Sequence, residues 1–266
     1  MMGQKLFAPR GTRESRGVST RNLRENPIMS SPHAAIIGGS SGIGLATARQ
    51  LLAQGFKVTI TGRSEERLNA AKAALSGDIS ALVMDAADPE SVRDAFSRIG
   101  AFDHLVLALG SRKGFGPFAT TSLAEVRASF EEKVFPHFAC AQAALPHLRK
   151  DGGIVFVSAV SAHAAMPGTA GIGAANAAVA MLVPILANEL KPLRVNGVSP
   201  GVIDTPWWDF LPEAERKAAF AGFAARTPAQ RVGRPEDVAQ AIAFLIADSF
   251  MTGHMIVCDG GVRLGG

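Results

Sequence analysis

Seven apolar runs of strand length, separated by stretches of helical length, leave this 266-residue chain few folds to choose from. The runs are His33–Ile37, Lys57–Thr61, Ser80–Met84, His104–Leu109, Gly153–Val157, Leu193–Val198 and Met255–Cys258. Between them lie the predicted helices Gly42–Gln54, Glu66–Ala74, Pro89–Ile99, Leu123–Leu148, Gly173–Leu190 and Pro235–Asp248. Most runs lack polar alternation, as expected of strands covered on both faces. Strict β–α alternation with right-handed crossovers predicts an α/β fold: one parallel, doubly wound sheet of about seven strands flanked by helices. A single domain over residues 31–266 follows, with a lid over residues 205–234, a Trp-, Phe- and Pro-rich insertion before the last helix.

Charge narrows the function classes. The chain carries a net +4, and residues 1–30 account for all of it: Lys5, Arg10, Arg13, Arg16, Arg21 and Arg24 stand against Glu14 and Glu25. A neutral body lacks the basic stripe that nucleic-acid binding requires, so no nucleic-acid partner is expected. The segment 1–30 reads as a flexible basic extension, with Met29 as an alternative start, and it has no apolar run that would make a signal or an anchor. No membrane span is expected elsewhere. Cys140 and Cys258 fall in separate core elements, which fits a reducing, cytoplasmic setting rather than a disulfide framework. The histidines show no metal-ligand spacing, so no metal is expected.

The chemistry begins at Gly38-Gly39-Ser40-Ser41-Gly42-Ile43-Gly44, which joins the first strand to a helix. A strand that turns sharply into a helix N-terminus aims backbone N–H groups at an anion, and glycine permits both the bend and the close approach of a diphosphate. In a β–α–β context this is a Rossmann-type dinucleotide turn. The second strand ends at Gly62-Arg63 with no carboxylate to accept a ribose 2′-hydroxyl. A guanidinium there pairs with a 2′-phosphate instead, so the expected cofactor is NADP(H).

From Ala34 to Gly261 these features resemble the short-chain dehydrogenase/reductase family. The resemblance rests on the glycine turn, on Asp85-Ala86 after the third strand, and on Arg194-Val195-Asn196-Gly197-Val198-Ser199-Pro200-Gly201-Val202-Ile203-Asp204-Thr205. It rests also on Arg231-Val232-Gly233-Arg234-Pro235-Glu236-Asp237 and on Asp259-Gly260-Gly261. The resemblance implies that Asp85 and Ala86 frame the adenine and that Leu109 and Gly110 line the cleft after the fourth strand. It implies that Pro200 and Gly201 shape the nicotinamide loop, where the Ile203 backbone and the Thr205 hydroxyl hold the carboxamide. A homodimer or homotetramer through the long central helices is implied as well.

The family's catalytic residues are an Asn, a Ser and a Tyr-x-x-x-Lys pair. Alignment with this chain puts Lys133, Ala159, Ile172 and Asn176 at those positions, and the chain contains no tyrosine at all. The usual proton donor is therefore missing. Asn176 can still bond ribose hydroxyls. Candidate substitutes are Lys133, Ser161 and His163. Lys133 either approaches the ribose and carbonyl or extends to solvent; Ser161, read on an extended backbone, faces the same way as Ala159; His163 titrates in a useful range. Trp207, Trp208, Phe210, Leu211, Phe220 and Phe223 either line a pocket for a hydrophobic small molecule or pack the lid and a subunit contact. Three functions stand: an NADP(H)-dependent oxidoreductase acting on a small carbonyl, alcohol or imine through a non-standard proton donor; a catalytically silent NADP(H)-binding protein; and a lyase or isomerase on the same fold.

Overall fold

The computed structural model describes residues 31–264. The expected N-terminal extension lies outside the described residues. Seven parallel strands form one sheet in the order β3-β2-β1-β4-β5-β6-β7. They are β1 (His33–Ile37), β2 (Lys57–Gly62), β3 (Ile79–Val83), β4 (Phe102–Leu107), β5 (Leu148–Val157), β6 (Arg194–Pro200) and β7 (Met255–Cys258). The strand order reverses between β1 and β4, so a crevice opens beyond their carboxyl ends, the place where such sheets bind ligands.

Two cores explain why the sheet holds. Successive side chains of a strand point to opposite faces. Thus Ala34 and Ile36 of β1 pack with Ala48 and Leu51 of α1 (Gly42–Ala53) and with Val238 and Ile242 of α8 (Pro235–Ala247). Leu68 and Ala71 of α2 (Glu65–Ala73) belong to the same face. Their neighbours Ala35 and Ile37 pack on the other face, with Val92 and Phe96 of α3 (Pro89–Ile99) and Val179 and Val183 of α6 (Ala170–Glu189). A polar residue at any of these β1 positions would lie in a helix–sheet core, which is why β1 is apolar from Ala34 to Ile37.

Three expectations need correction. The stretch Leu123–Leu148 is not one helix: α4 (Leu123–Ser129) passes into a π turn over Phe130–Val134, then α5 (Phe135–Ala144), and Leu148 already opens β5. Pro136 supplies the reason. Proline inside a helix removes a donor and crowds the carbonyl four residues back, and the wider turn, in which the Phe135 N–H donates to the Phe130 carbonyl, relieves that crowding. The insertion at 205–234 is not bare loop, since it holds a short 3₁₀ turn (Pro206–Trp208) and α7 (Glu213–Arg226). Finally, α6 is long and apolar enough to cross a membrane by length and composition. Its apolar character has another use here, because Val179, Val183 and Ala187 cover the sheet while Met181 and Ile185 on its outer side stay exposed.

Candidate functional site

The glycine turn is tied to β2. The N–H groups of Gly38 and Gly39 both donate to the Thr61 carbonyl, at 3.1 and 3.0 Å. They hold the turn in place, so Gly38 is not itself an anion donor. Donors that remain include those of Gly42, Ile43 and Gly44, the first turn of α1, where no intrahelical partner exists. Ser41 caps that helix without a side-chain hydrogen bond.

Glycine is obligatory here for measurable reasons. Gly38 sits at φ +84°, and a Cβ on it would lie 2.6 Å from the Ala108 carbonyl oxygen. A Cβ on Gly44 would lie 2.2 Å from the Gly38 carbonyl oxygen. Gly42, at φ +52°, faces Thr205 and Pro206 from 3.2 to 3.9 Å, so the loop after β6 crosses directly over the turn. At the end of β2, Ser40 Oγ is 3.1 Å from where a Gly62 side chain would begin, and the adjoining Arg63 is exposed. Among the described residues Arg63 makes no ion pair or hydrogen bond. Asp85 is exposed at the end of β3, its carboxylate accepting the Ala87 N–H at 3.0 Å, and Ala86 beside it is half-buried.

On the opposite side of the cleft the Ile203 carbonyl accepts from Trp208 Nε1 at 3.0 Å, while no hydrogen bond is made by its own N–H among the described residues. The Gly201 N–H donates to the Cys258 carbonyl at 3.0 Å, and Pro200 is buried at the end of β6. Trp207 Nε1 donates to the Ser111 carbonyl at 2.9 Å, and Trp207 lies 3.7 Å from a side chain placed on Gly110. The 3₁₀ turn therefore bridges the loops after β4 and β6.

Of the two alternatives open for Lys133, the structure removes one. It does not extend to solvent: it is 4% exposed, and its ammonium donates to the carbonyls of Leu109 (2.7 Å), Val157 (2.9 Å) and Ser158 (3.4 Å). The π turn points it inward, and burial pulls its pKa down to about 7. Beneath it His137 contacts the Lys133 and Leu107 carbonyls, and burial holds that ring near pKa 3, so it is neutral. With all three hydrogens on strand-end carbonyls, Lys133 positions the walls of the site.

Sequence reasoning did not find Ser158, whose carbonyl accepts from Lys133 and whose hydroxyl donates to the Asn176 carbonyl at 2.8 Å. Asn176 in turn donates through Nδ2 to Ser161 Oγ at 3.0 Å. Lys133, Ser158, Asn176 and Ser161 thus form one connected line. The extended-backbone argument for Ser161 fails, because Val160–Ala162 is a 3₁₀ turn. Ser161 nonetheless lines an open groove of about 520 Å³, together with Phe118, Met166, Thr169 and Gly173. His163 is exposed and does not line that groove. Ala159 is half-buried and Ile172 is buried at 4%, so the positions of the absent serine and tyrosine are filled by apolar groups.

A nicotinamide dinucleotide fits this arrangement on two observations: the turn is a cradle that a Cβ would fill, and Asn176 Oδ1 is buried without a donor. Buried acceptors are ordinarily paired, so this one is poised for a hydroxyl.

Residues 37–263 match the family model described as enoyl-(acyl carrier protein) reductase. The cis-4-hydroxycyclohexanecarboxylate dehydrogenase of Sinomonas cyclohexanicum is 35% identical, covering 86% of this chain and 95% of its own. The chain belongs to the short-chain dehydrogenase/reductase family. A second member, the 3-oxoacyl-(acyl-carrier-protein) reductase of Bos taurus, is 32% identical over 86% of this chain and 97% of its own. Among solved short-chain dehydrogenase/reductase structures, an NADPH-bound short-chain oxidoreductase from Pseudomonas aeruginosa, described as containing an atypical catalytic center, superposes with a TM-score of 0.80. It is 33% identical and covers 86% of this chain and 96% of that one. The fold and family are those of an oxidoreductase.

Proposed function

We propose that this chain is an NADP(H)-dependent oxidoreductase that acts on a small, hydrophobic substrate and that, with Ile172 at the family's tyrosine position, turns the hydroxyl of Ser161, two residues past the family's serine position, toward that substrate. The observation that carries the reading is the pairing of free N–H groups at Gly42, Ile43 and Gly44 with the uncommitted Arg63 one strand away. The NADPH-bound relative from Pseudomonas aeruginosa supports the same cofactor. Gly42, Ile43 and Gly44, with Ser40 and Ser41, bind the diphosphate, and Arg63 binds the 2′-phosphate. Asp85 and Ala86 flank the adenine, Asn176 accepts from ribose, and the Ile203 N–H and Thr205 hydroxyl orient the carboxamide beside Leu109 and Gly110. When bound, the nicotinamide supplies or removes a hydride equivalent.

Ser161 orients the substrate. Because its Oγ already accepts from Asn176, its own proton is free to bond the acceptor atom of a substrate in the groove. Ser161→Ala is expected to lower turnover about tenfold, the worth of roughly one hydrogen bond, with cofactor affinity unchanged. Equal turnover in both proteins would remove Ser161 from the site.

Lys133 steadies this line, and its burial has a testable sign. The folded pKa of about 7 lies below the ordinary lysine value of 10.5, so between those pH values the unfolded chain holds the extra proton. Stability from this group therefore rises as pH climbs from about 7, and the cost of burying the charge is fully present below that. Wild type should gain stability over Lys133→Met by at most about 1.4 kcal/mol per pH unit above neutrality, read as about 3–6 °C in Tm. His137 stays neutral throughout this range and contributes nothing. A Tm difference that does not change between pH 7 and 9 rules the assignment out.

Phe135 and Phe138 on α5, with Met181 and Ile185 on α6, expose an apolar surface suited to a homodimer or, with a second face, a homotetramer. Free Cys140, its thiol pushed up to about 12 by burial, and free Cys258 suit a reducing cytoplasmic setting. The silent-binder reading has one observation in its favour: among the described residues no ionisable group lines the groove at Ser161. Calorimetry with NADPH, paired with NADPH consumption over a carbonyl and imine panel, separates the two: tight binding without turnover favours the silent binder.

A further inference from the structure

The loop after β4 runs along one side of the cleft and is tied down three times. The Ser111 carbonyl accepts from Trp207 Nε1 at 2.9 Å, and the Gly114 carbonyl accepts from the Ile172 N–H at 3.1 Å. The Gly116 N–H then donates to the Gly168 carbonyl at 2.9 Å. The loop therefore starts at the 3₁₀ turn after β6, passes the family's tyrosine position and ends at the groove beside Ser161.

Arg112 stands between the first two ties. It is exposed, and its guanidinium lies over the Phe210 ring, 5.8 Å from the centroid. Phe210 packs edge-on against Trp207 with centroids 5.5 Å apart, and Phe115 packs on the same indole at 5.8 Å. Contact with a ring face places the guanidinium and leaves its N–H groups unspent. Among the described residues Arg112 makes no hydrogen bond and no ion pair. Phe115 and Phe210 keep 47% and 51% of their surface exposed, so apolar area lies open beside the cation.

The charges on the adjoining elements are otherwise engaged. Lys113 pairs with Glu125 at 3.4 Å, and Arg216 pairs with Asp209. Glu132 accepts the Ser111 hydroxyl at 2.8 Å and makes no ion pair among the described residues. One cation and one carboxylate, Arg112 and Glu132, thus remain to act on a ligand, with opposite signs.

Resting on the oxidoreductase reading above, we infer that Arg112 selects substrates that carry a carboxylate at the end remote from the reacting carbon. The apolar body of the substrate covers Phe115, Trp207 and Phe210. Its carboxylate takes two parallel N–H donors from the guanidinium, a geometry that a fixed planar fork supplies. Glu132 weakens the same interaction and so sets its strength.

The test is calorimetry on protein saturated with NADP⁺, where a ketone binds and cannot be reduced. The probes are 3- and 4-acetylbenzoate, each paired with its neutral amide. The better carboxylate should bind about tenfold more tightly than its amide, and added salt should shrink that advantage. Arg112→Met keeps an unbranched apolar chain over Phe210 and removes the charge. It should abolish the preference while amide binding and NADPH affinity stay unchanged. Arg112→Lys restores a point charge without the fork and should recover only part of it. Glu132→Gln should tighten carboxylate binding about two- to threefold. In turnover with NADPH, Arg112→Met should raise KM for the carboxylate about tenfold with kcat unchanged, because the lost contact is made equally before and during reaction. Four results would overturn the assignment and leave the oxidoreductase reading standing. They are equal affinity for acid and amide, no binding of any probe, equal losses of acid and amide in Arg112→Met, and weaker NADPH binding in that variant. Wild-type protein that binds no NADPH would overturn both.

Discussion

A methyl group on Gly44 should weaken NADPH binding about 10- to 100-fold, because overpacking of this kind costs roughly 1–3 kcal/mol and the phosphate turn must move to absorb it. The new Cβ would lie 2.2 Å from the Gly38 carbonyl oxygen, which is backbone and cannot rotate away. Relief requires the turn to lift from β2 and to break the two bonds from Gly38 and Gly39 to the Thr61 carbonyl. The donors of Gly42 and Ile43 then lose the alignment that makes them an anion site. Thermal unfolding should fall by about 2–12 °C in the same variant. Gly222→Ala is the control: nothing lies within 4 Å of that added carbon, and it occupies the interior of α7. It should raise stability by about 0.5–1 kcal/mol, the ordinary helix preference for alanine, with NADPH affinity intact. Wild-type affinity in Gly44→Ala would mean that the diphosphate binds elsewhere.

Arg63→Ala should separate the two coenzymes. A charge-assisted pair between a guanidinium and a 2′-phosphate contributes about 1.5–3 kcal/mol, so NADPH affinity should drop about 10- to 100-fold. NADH has only a hydroxyl at that position and should bind the variant and the parent alike. The exposed Arg63 side chain is bound to nothing else among the described residues, so its removal should leave Tm within about 1–2 °C, as surface substitutions generally do. Equal losses for both coenzymes, measured by calorimetry, would move the 2′-phosphate site away from the end of β2.

The sequence carried the frame of this molecule because each strand is an apolar run and because Gly38, Gly42 and Gly44 stand where no other residue fits. The places of Arg63 and Asp85 were legible for a related reason: each follows an apolar run that becomes a strand, β2 ending at Gly62 and β3 at Val83. What escaped was set by tertiary geometry. That Gly38 and Gly39 spend their N–H groups on Thr61 depends on the neighbouring strand, and no spacing announces it. Lys133 could be placed on its helix, yet the π turn that aims it inward comes from Pro136 crowding a carbonyl. Ser158 hid beside Ala159, and its importance rests on two hydrogen bonds to partners far along the chain. A nearby signal existed, since Ser158 immediately follows a β-run at the position where the family's chemistry begins. The apolar character of α6 is the converse case, because length and composition alone do not tell a sheet-covering helix from a membrane-crossing one.

The bridging turn after β6 also gives this protein an optical property. Trp207 and Trp208 are the two tryptophans of the chain, their rings 4.8 Å apart, and with no tyrosine present all strong ultraviolet emission arises from that one turn. Each indole is anchored to a different loop, Trp207 to Ser111 and Trp208 to Ile203. Any change in either contact should therefore alter the colour and lifetime of the light emitted, so the environment of this turn can be followed in unlabelled protein as ligands are added.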